Sequence, residues 1–60
     1  MTVQDVINTL LAGQLIEIYE EQFLDIMYIG DYTDTPSKYR KCPVLCMEIR
    51  PTGILRLFIS

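Results

Sequence analysis

The chain has 60 residues, half of them hydrophobic, and a net charge of −3 from five Lys/Arg and eight Asp/Glu. That length holds one domain, residues 1–60, with a thin stability margin. No run approaches the roughly 20 apolar residues of a membrane span, the acidic balance disfavours direct nucleic-acid binding, and with no histidine the usual general base near neutral pH is missing.

Residues 1–13 carry the spacing of one helical face, with Val3, Val6, Ile7, Leu10 and Leu11 as its apolar positions. Thr2 stands where an N-cap belongs, and Asp5 three residues later makes an acidic capping box. Met1 and Val6 are spaced for a hydrophobic staple, and Gly13 suits the residue just past the helix end. Residues 15–21 (LIEIYEE) alternate and read as a strand, and residues 24–32 (LDIMYIGDY) as a second, with a turn at 20–22. Residues 33–41 are polar, with Thr35 as cap and Pro36 at the first position of a short helical turn. Residues 44–50 and 54–60 form a hairpin around Pro51-Thr52-Gly53. Pro fits the second position of a type I turn, and Gly the left-handed position after it. That loop pairs Arg50 with Ile54, and the register follows: Ile49 with Leu55, Met47 with Leu57, Leu45 with Ile59 on an apolar face. Glu48 with Arg56 and Cys46 with Phe58 lie on the other.

The expected fold class is α+β: an N-terminal helix packed on a four-stranded antiparallel sheet, in the order α-β-β-turn-β-β. Its expected core joins the helix face to Leu45, Met47, Ile49, Leu55, Leu57 and Ile59. Ile16 and Ile18 add to it from the first strand, and Ile26 and Tyr28 from the second.

So small a domain usually needs a staple. Cys42 and Cys46 would lie roughly 13 Å apart if extended, beyond the about 7 Å that a disulfide tolerates, so both are expected as reduced thiols. Two thiols without histidine are too few for a structural zinc, and no cofactor is expected. A mean hydropathy of +0.23 is high for a chain with so much surface. The surplus points to an apolar patch closed by a homo-oligomer. The start Met-Thr-Val-Gln-Asp has neither the basic residues nor the apolar run of a signal peptide. The expectation is a cytoplasmic protein.

No catalytic motif appears, so the chain reads as a non-enzymatic binding protein. Three of its five cations sit in Ser37-Lys38-Tyr39-Arg40-Lys41. That turn could grip a phosphate or carboxylate and stack on a ring. On the outer sheet face, Tyr19, Arg50, Arg56 and Phe58 supply the residue types enriched at protein interfaces. The expected contact surface is this face plus Lys38, Tyr39, Arg40 and Lys41.

A capped helix (TVQDVINTLLAG), LIEIYEE-type strands, a Pro-containing polar connector (DTPSKYRKCPV) and a terminal hairpin together resemble short accessory proteins of bacteriophages and prophages. The resemblance spans nearly the whole chain. It implies a factor that binds and blocks a host defence protein in the bacterial cytoplasm, as anti-CRISPR proteins do, and it carries no residue role with it. Two other functions fit the same composition: a sponge for an anionic small ligand such as a nucleotide second messenger, and a structural or assembly subunit.

Overall fold

A computed structural model describes all residues, 1–60. It is a small α+β fold of two short helices and a four-stranded sheet. Helix α1 spans Val3–Ile7. Strands β1 (Leu15–Glu20) and β2 (Asp25–Asp31) form the first hairpin. A 3-10 turn at Tyr32–Asp34 and helix α2 (Ser37–Arg40) follow, and β3 (Cys46–Ile49) and β4 (Leu55–Ile59) form the second hairpin.

The capping box forms as the sequence predicts. The Asp5 amide donates to Thr2 Oγ1 at 3.2 Å, and the Thr2 amide donates to Asp5 Oδ2 at 2.8 Å. These bonds, the backbone one first, hold the Asp5 carboxyl below its ordinary range. The helix is nevertheless one turn, not the whole of residues 1–13. Thr9 donates both its amide (3.0 Å) and its hydroxyl (2.7 Å) to the Val6 carbonyl, and the Leu10 amide donates to Ile7 at 3.1 Å. Side-chain back-bonding and three-residue spacing consume the carbonyls that helix propagation needs. Leu11 therefore lies exposed, and Met1, half of the expected staple with Val6, is largely exposed too. Gly13 is left-handed (φ 88°), closing a separate turn in which the Gln14 amide donates to Leu11.

The sheet is mixed rather than antiparallel. Its order is β2-β1-β4-β3, with β1 and β4 parallel at the centre and both hairpins antiparallel. Two parallel strands at opposite edges, β2 and β3, need a crossover of a dozen or more residues. Residues 32–45 supply it, and Tyr32, Tyr39, Cys42 and Val44 pack from it against the core. This route sets the two strands with the most deeply buried side chains next to each other under α1. The crossover is tied to the N-terminus by the Val3 amide on the Cys42 carbonyl (2.9 Å) and the Val44 amide on the Met1 carbonyl (2.8 Å). Helix α2 begins one residue later than expected. The Thr35 hydroxyl does not cap it but donates back to the Tyr32 carbonyl at 2.7 Å.

The second hairpin keeps the register derived from its loop. Cys46 faces Phe58, Met47 faces Leu57, Glu48 faces Arg56 and Ile49 faces Leu55. Gly53 takes the left-handed position (φ 87°), and the Arg50 amide donates to Ile54 at 2.8 Å. Leu45 departs from it, its amide donating to Phe58.

The core comprises Val3, Val6, Ile7, Ile16, Ile18, Leu55, Leu57 and Ile59. Leu55, Leu57 and Ile59 are 9, 0 and 1% exposed, whereas Ile49 and Met47 on the same face of the sheet are 70 and 47% exposed, and Leu45, just before β3, is 52% exposed. A five-residue helix covers the two central strands and stops short of β3. In the first hairpin a bulge between Ile18 and Tyr19 places Tyr28 opposite Ile18 but Ile26 opposite Tyr19. One extra residue reverses the side-chain parity, so Ile26 lies on the outer face and Met27 packs against the core instead. Tyr28 curls over Gly30, where an added Cβ would lie 2.9 Å from its hydroxyl, and that hydroxyl donates to the Asp31 carbonyl at 2.6 Å. Burial, then the nearby Asp34 and Asp31 carboxylates, push the Tyr28 phenol up. No helix is long and apolar enough to cross a membrane.

Candidate interaction face

Strand pairing sets the outer face in rows. Where β1 and β4 run parallel, Glu17 lies beside Arg56 and Tyr19 beside Phe58. Adding the hairpin partners gives one row of Ile29, Glu17, Arg56 and Glu48, and a second of Ile26, Tyr19, Phe58 and Cys46. The first row is charged at its centre; the second is apolar or aromatic at every position.

Glu17 is the centre of the charged row and is buried, although no second layer covers this side of the sheet. Its neighbours enclose it. Arg56 donates through Nε to Glu17 Oε2, and Arg50 Nη1 lies 3.5 Å from the same oxygen. Arg56 Nη1 also stands 4.0 Å from Glu48. The Arg56 guanidinium carbon is 4.9 Å from the Tyr19 ring centroid and 5.7 Å from that of Phe58, within cation–π range. The two rings meet edge to face at 5.5 Å and 66°. Two carboxylates and two guanidiniums balance, so the cluster is neutral while the chain is acidic. A buried carboxylate without such partners would be strongly destabilising.

The sequence-predicted residues fall into two groups. Tyr19, Arg50, Arg56 and Phe58 come together here. Lys38, Tyr39, Arg40 and Lys41 lie on the crossover, which packs on the other side of the sheet, so the two groups do not share one surface. Arg40 is a clasp: Nε donates to the Thr35 carbonyl (3.0 Å), Nη1 to Gln4 Oε1 (3.0 Å) and Nη2 to the Thr33 carbonyl (3.2 Å). Tyr39 packs against the core, and Lys38 Nζ sits 5.0 Å from its ring centroid. Lys38 and Lys41 are exposed.

Searches of protein-family models, curated proteins and solved structures find no match to this chain. The functional reading therefore rests on the geometry of the chain itself.

Sequence reasoning gave Glu17 no role, because nothing in either strand announces that β1 lies beside β4. It also missed the tip of the first hairpin. Phe23 and Leu24 are 68 and 76% exposed there, and Leu24 has φ 53°, a left-handed backbone that a branched side chain rarely adopts. The available signal was an apolar pair inside a turn. The tip lies at the same end of the sheet as the apolar row, which immediately precedes it on β1 and follows it on β2. No concave pocket opens on the surface, so the candidate site is a face. The two thiols are free: Cys42 packs toward the core and Cys46 is exposed on this face.

Proposed function

We propose that this chain is a non-enzymatic binding protein that recognises a protein partner through the outer face of its sheet and works as a homo-oligomer. The observation that carries this reading is the apolar row Ile26–Tyr19–Phe58–Cys46 beside the Arg56 cluster, open on a face that nothing in the chain covers. Tyr and Arg on a flat, partly apolar surface are what alanine scanning finds at the energetic centre of protein interfaces. Inward pairing already neutralises the Arg56 charge, so a partner would meet ring edges and aliphatic groups rather than a bare cation. The resemblance to phage accessory proteins makes a bacterial defence protein, met in the host cytoplasm, the first partner class to test.

The sponge reading is weaker. It relied on the basic turn of residues 37–41, in which the Arg40 fork is occupied by Thr33, Thr35 and Gln4 and only Lys38 and Lys41 stand exposed. The assembly-subunit reading would use the same face and differs only in the partner.

The test is affinity capture from bacterial lysate with four chains: wild type, Ile26→Asp, Tyr19→Ala, and Lys38→Glu with Lys41→Glu. The reading expects a stoichiometric protein retained by wild type and by the double lysine variant, and lost from the two face variants while their folding is intact. Retention of the same protein by the face variants, or its loss only from the lysine variant, would sink it.

A further inference from the structure

Strand β3 is exposed along its whole length and lies at a free edge of the sheet. The Arg50 amide donates to Ile54. In an antiparallel pair the bonded positions alternate, so Glu48 and Cys46 also turn their backbone groups toward β4. Met47 and Ile49 therefore turn their amides and carbonyls outward. An edge of this kind, with Glu48 its one charged side chain and no proline or lysine in the strand, can template another strand. Met47 and Ile49 add exposed apolar side chains on the helix side, and the exposed Leu45 precedes them in the chain.

We propose that the occupant of this edge is a second copy of the chain, paired β3 to β3 antiparallel about a two-fold axis through Met47. This proposal deepens the oligomer part of the reading above and is independent of what the outer face recognises. Strand chemistry selects the register. Opposed residues must share a face, so the axis passes through a residue rather than between two. An axis through Glu48 would set Glu48 directly against its own copy, a like-charge contact at the closest spacing of the ladder. An axis through Cys46 would oppose Ile49 with Pro43, which has no amide to donate and is already bridged to Thr2. An axis through Ile49 would oppose Met47 with Pro51, in the turn. The axis through Met47 clears both prolines, and beyond β3 it reaches only Leu45, whose amide is spent on Phe58. Met47 exchanges both backbone bonds with its own copy, and the Ile49 amide meets the Leu45 carbonyl.

On the helix side this register sets Met47 against Met47 and Ile49 against Leu45, all apolar. On the outer side it sets Glu48 against Cys46, so no like charges meet directly. A four-residue edge and its few exposed side chains are a small contact beside the roughly 800 Å² that a standard interface buries on each side. The pairing is therefore weak and concentration-dependent. It has one functional consequence: the two sheets become continuous and their outer faces point the same way, so a dimer presents two copies of the Tyr19–Phe58–Arg56 cluster on one surface.

Cysteine cross-linking tests the register. In a Cys42→Ser background, Glu48→Cys places the new thiol opposite Cys46 of the second copy, at a non-hydrogen-bonded position whose Cα separation of about 4.5 Å suits a disulfide. Mild oxidation is expected to convert most of that protein to a covalent species of twice the 7.0 kDa chain mass. Adding Cys46→Ser is expected to cut the yield at least tenfold. A Glu48→Cys protein that stays monomeric, or cross-linking that survives Cys46→Ser, overturns the proposal. Light scattering provides the readout without new cysteines. Wild type is expected to rise toward the dimer mass across tens to hundreds of micromolar, and Ile49→Lys, at an exposed position that folding does not use, is expected to remain at 7.0 kDa. Wild type that holds the monomer mass throughout also overturns it. Because the outer face is untouched, partner capture by Ile49→Lys separates failure of the dimer from failure of the recognition reading.

Discussion

Leu55 and Leu57 on β4 and their neighbours Ile49 and Met47 on β3 share one hairpin, one face and one chemistry, yet the first two are buried and the second two are about half exposed or more. The difference lies in what passes over them. Helix α1 and the crossover lie above β1 and β4, and neither reaches β3. Cross-strand register decides which way a side chain points; only a second layer decides whether it leaves water. In a chain of this size one short helix is too little second layer for four strands. Half of one apolar face is therefore folding core, and the other half is surface held in the same rigid geometry.

Truncation tests the contrast most strongly. Leu57→Ala removes a wholly buried side chain from beneath α1 and is expected to cost about 3 kcal/mol in urea unfolding, with its cavity adding to the lost transfer energy. In a domain this small that lowers the melting temperature by more than about 10 °C. Met47→Ala, its direct cross-strand partner, is expected to cost less than about 1 kcal/mol in dilute protein. Equal losses would mean that β3 is covered in the isolated chain.

The outer face gives a second contrast, of intermediate size. Glu17→Ala leaves the guanidinium of Arg56 beside two rings without its buried partner, and is expected to cost about 2 kcal/mol. Glu48→Ala removes only an exposed carboxylate 4.0 Å away, for which less than about 0.5 kcal/mol is expected. A double-mutant cycle on Glu17 and Arg56, read by chemical denaturation, measures the coupling directly.

Smaller again is the N-cap. Thr2→Ala is expected to cost about 1 kcal/mol and to blunt the acid sensitivity of the fold. Asp5 is bonded to Thr2 and its carboxyl is held below the ordinary value of 3.8. A depressed folded pKa contributes stability that is complete above the unfolded value and is lost as pH falls through the folded one. Asp31, lowered by the Thr33 amide and hydroxyl, contributes in the same direction. Denaturation midpoints followed from pH 6 to pH 2 should therefore fall more steeply for wild type than for Thr2→Ala. Least of all, Leu24→Gly at the strained hairpin tip is expected to raise stability by a few tenths of a kcal/mol, relief of the left-handed backbone being partly offset by glycine's freer unfolded chain.

The second hairpin was legible because its loop dictates its register: Pro51 and Gly53 have conformations that leave few ways to pair the flanking strands. The capping box was legible for the same local reason. The helix length was not, because the apolar spacing of Leu10 and Leu11 continues past the point where Thr9 takes the Val6 carbonyl for itself. The bulge that moves Ile26 to the outer face leaves no mark on an alternating strand. The parallel contact of β1 with β4 joins residues about 40 positions apart, as Glu17 and Arg56 do. Such a contact depends on how the crossover packs, not on any local signal. Everything at the candidate face that depends on it, including the burial of Glu17 and the meeting of Tyr19 with Phe58, was beyond the sequence for that reason. The basic turn was legible as charge, but not as structure: the same Arg40 that looks like an anion clamp is consumed in holding the crossover to α1.

The central claim is that β3 is an open edge in one copy and a closed one in two. Residue-resolved amide hydrogen exchange at low micromolar and at several hundred micromolar protein tests it directly. The account predicts that the Met47 and Ile49 amides exchange freely in dilute protein and gain at least tenfold protection when concentrated, while Leu57 is protected equally in both. Protection of Met47 and Ile49 that does not change with concentration would contradict it.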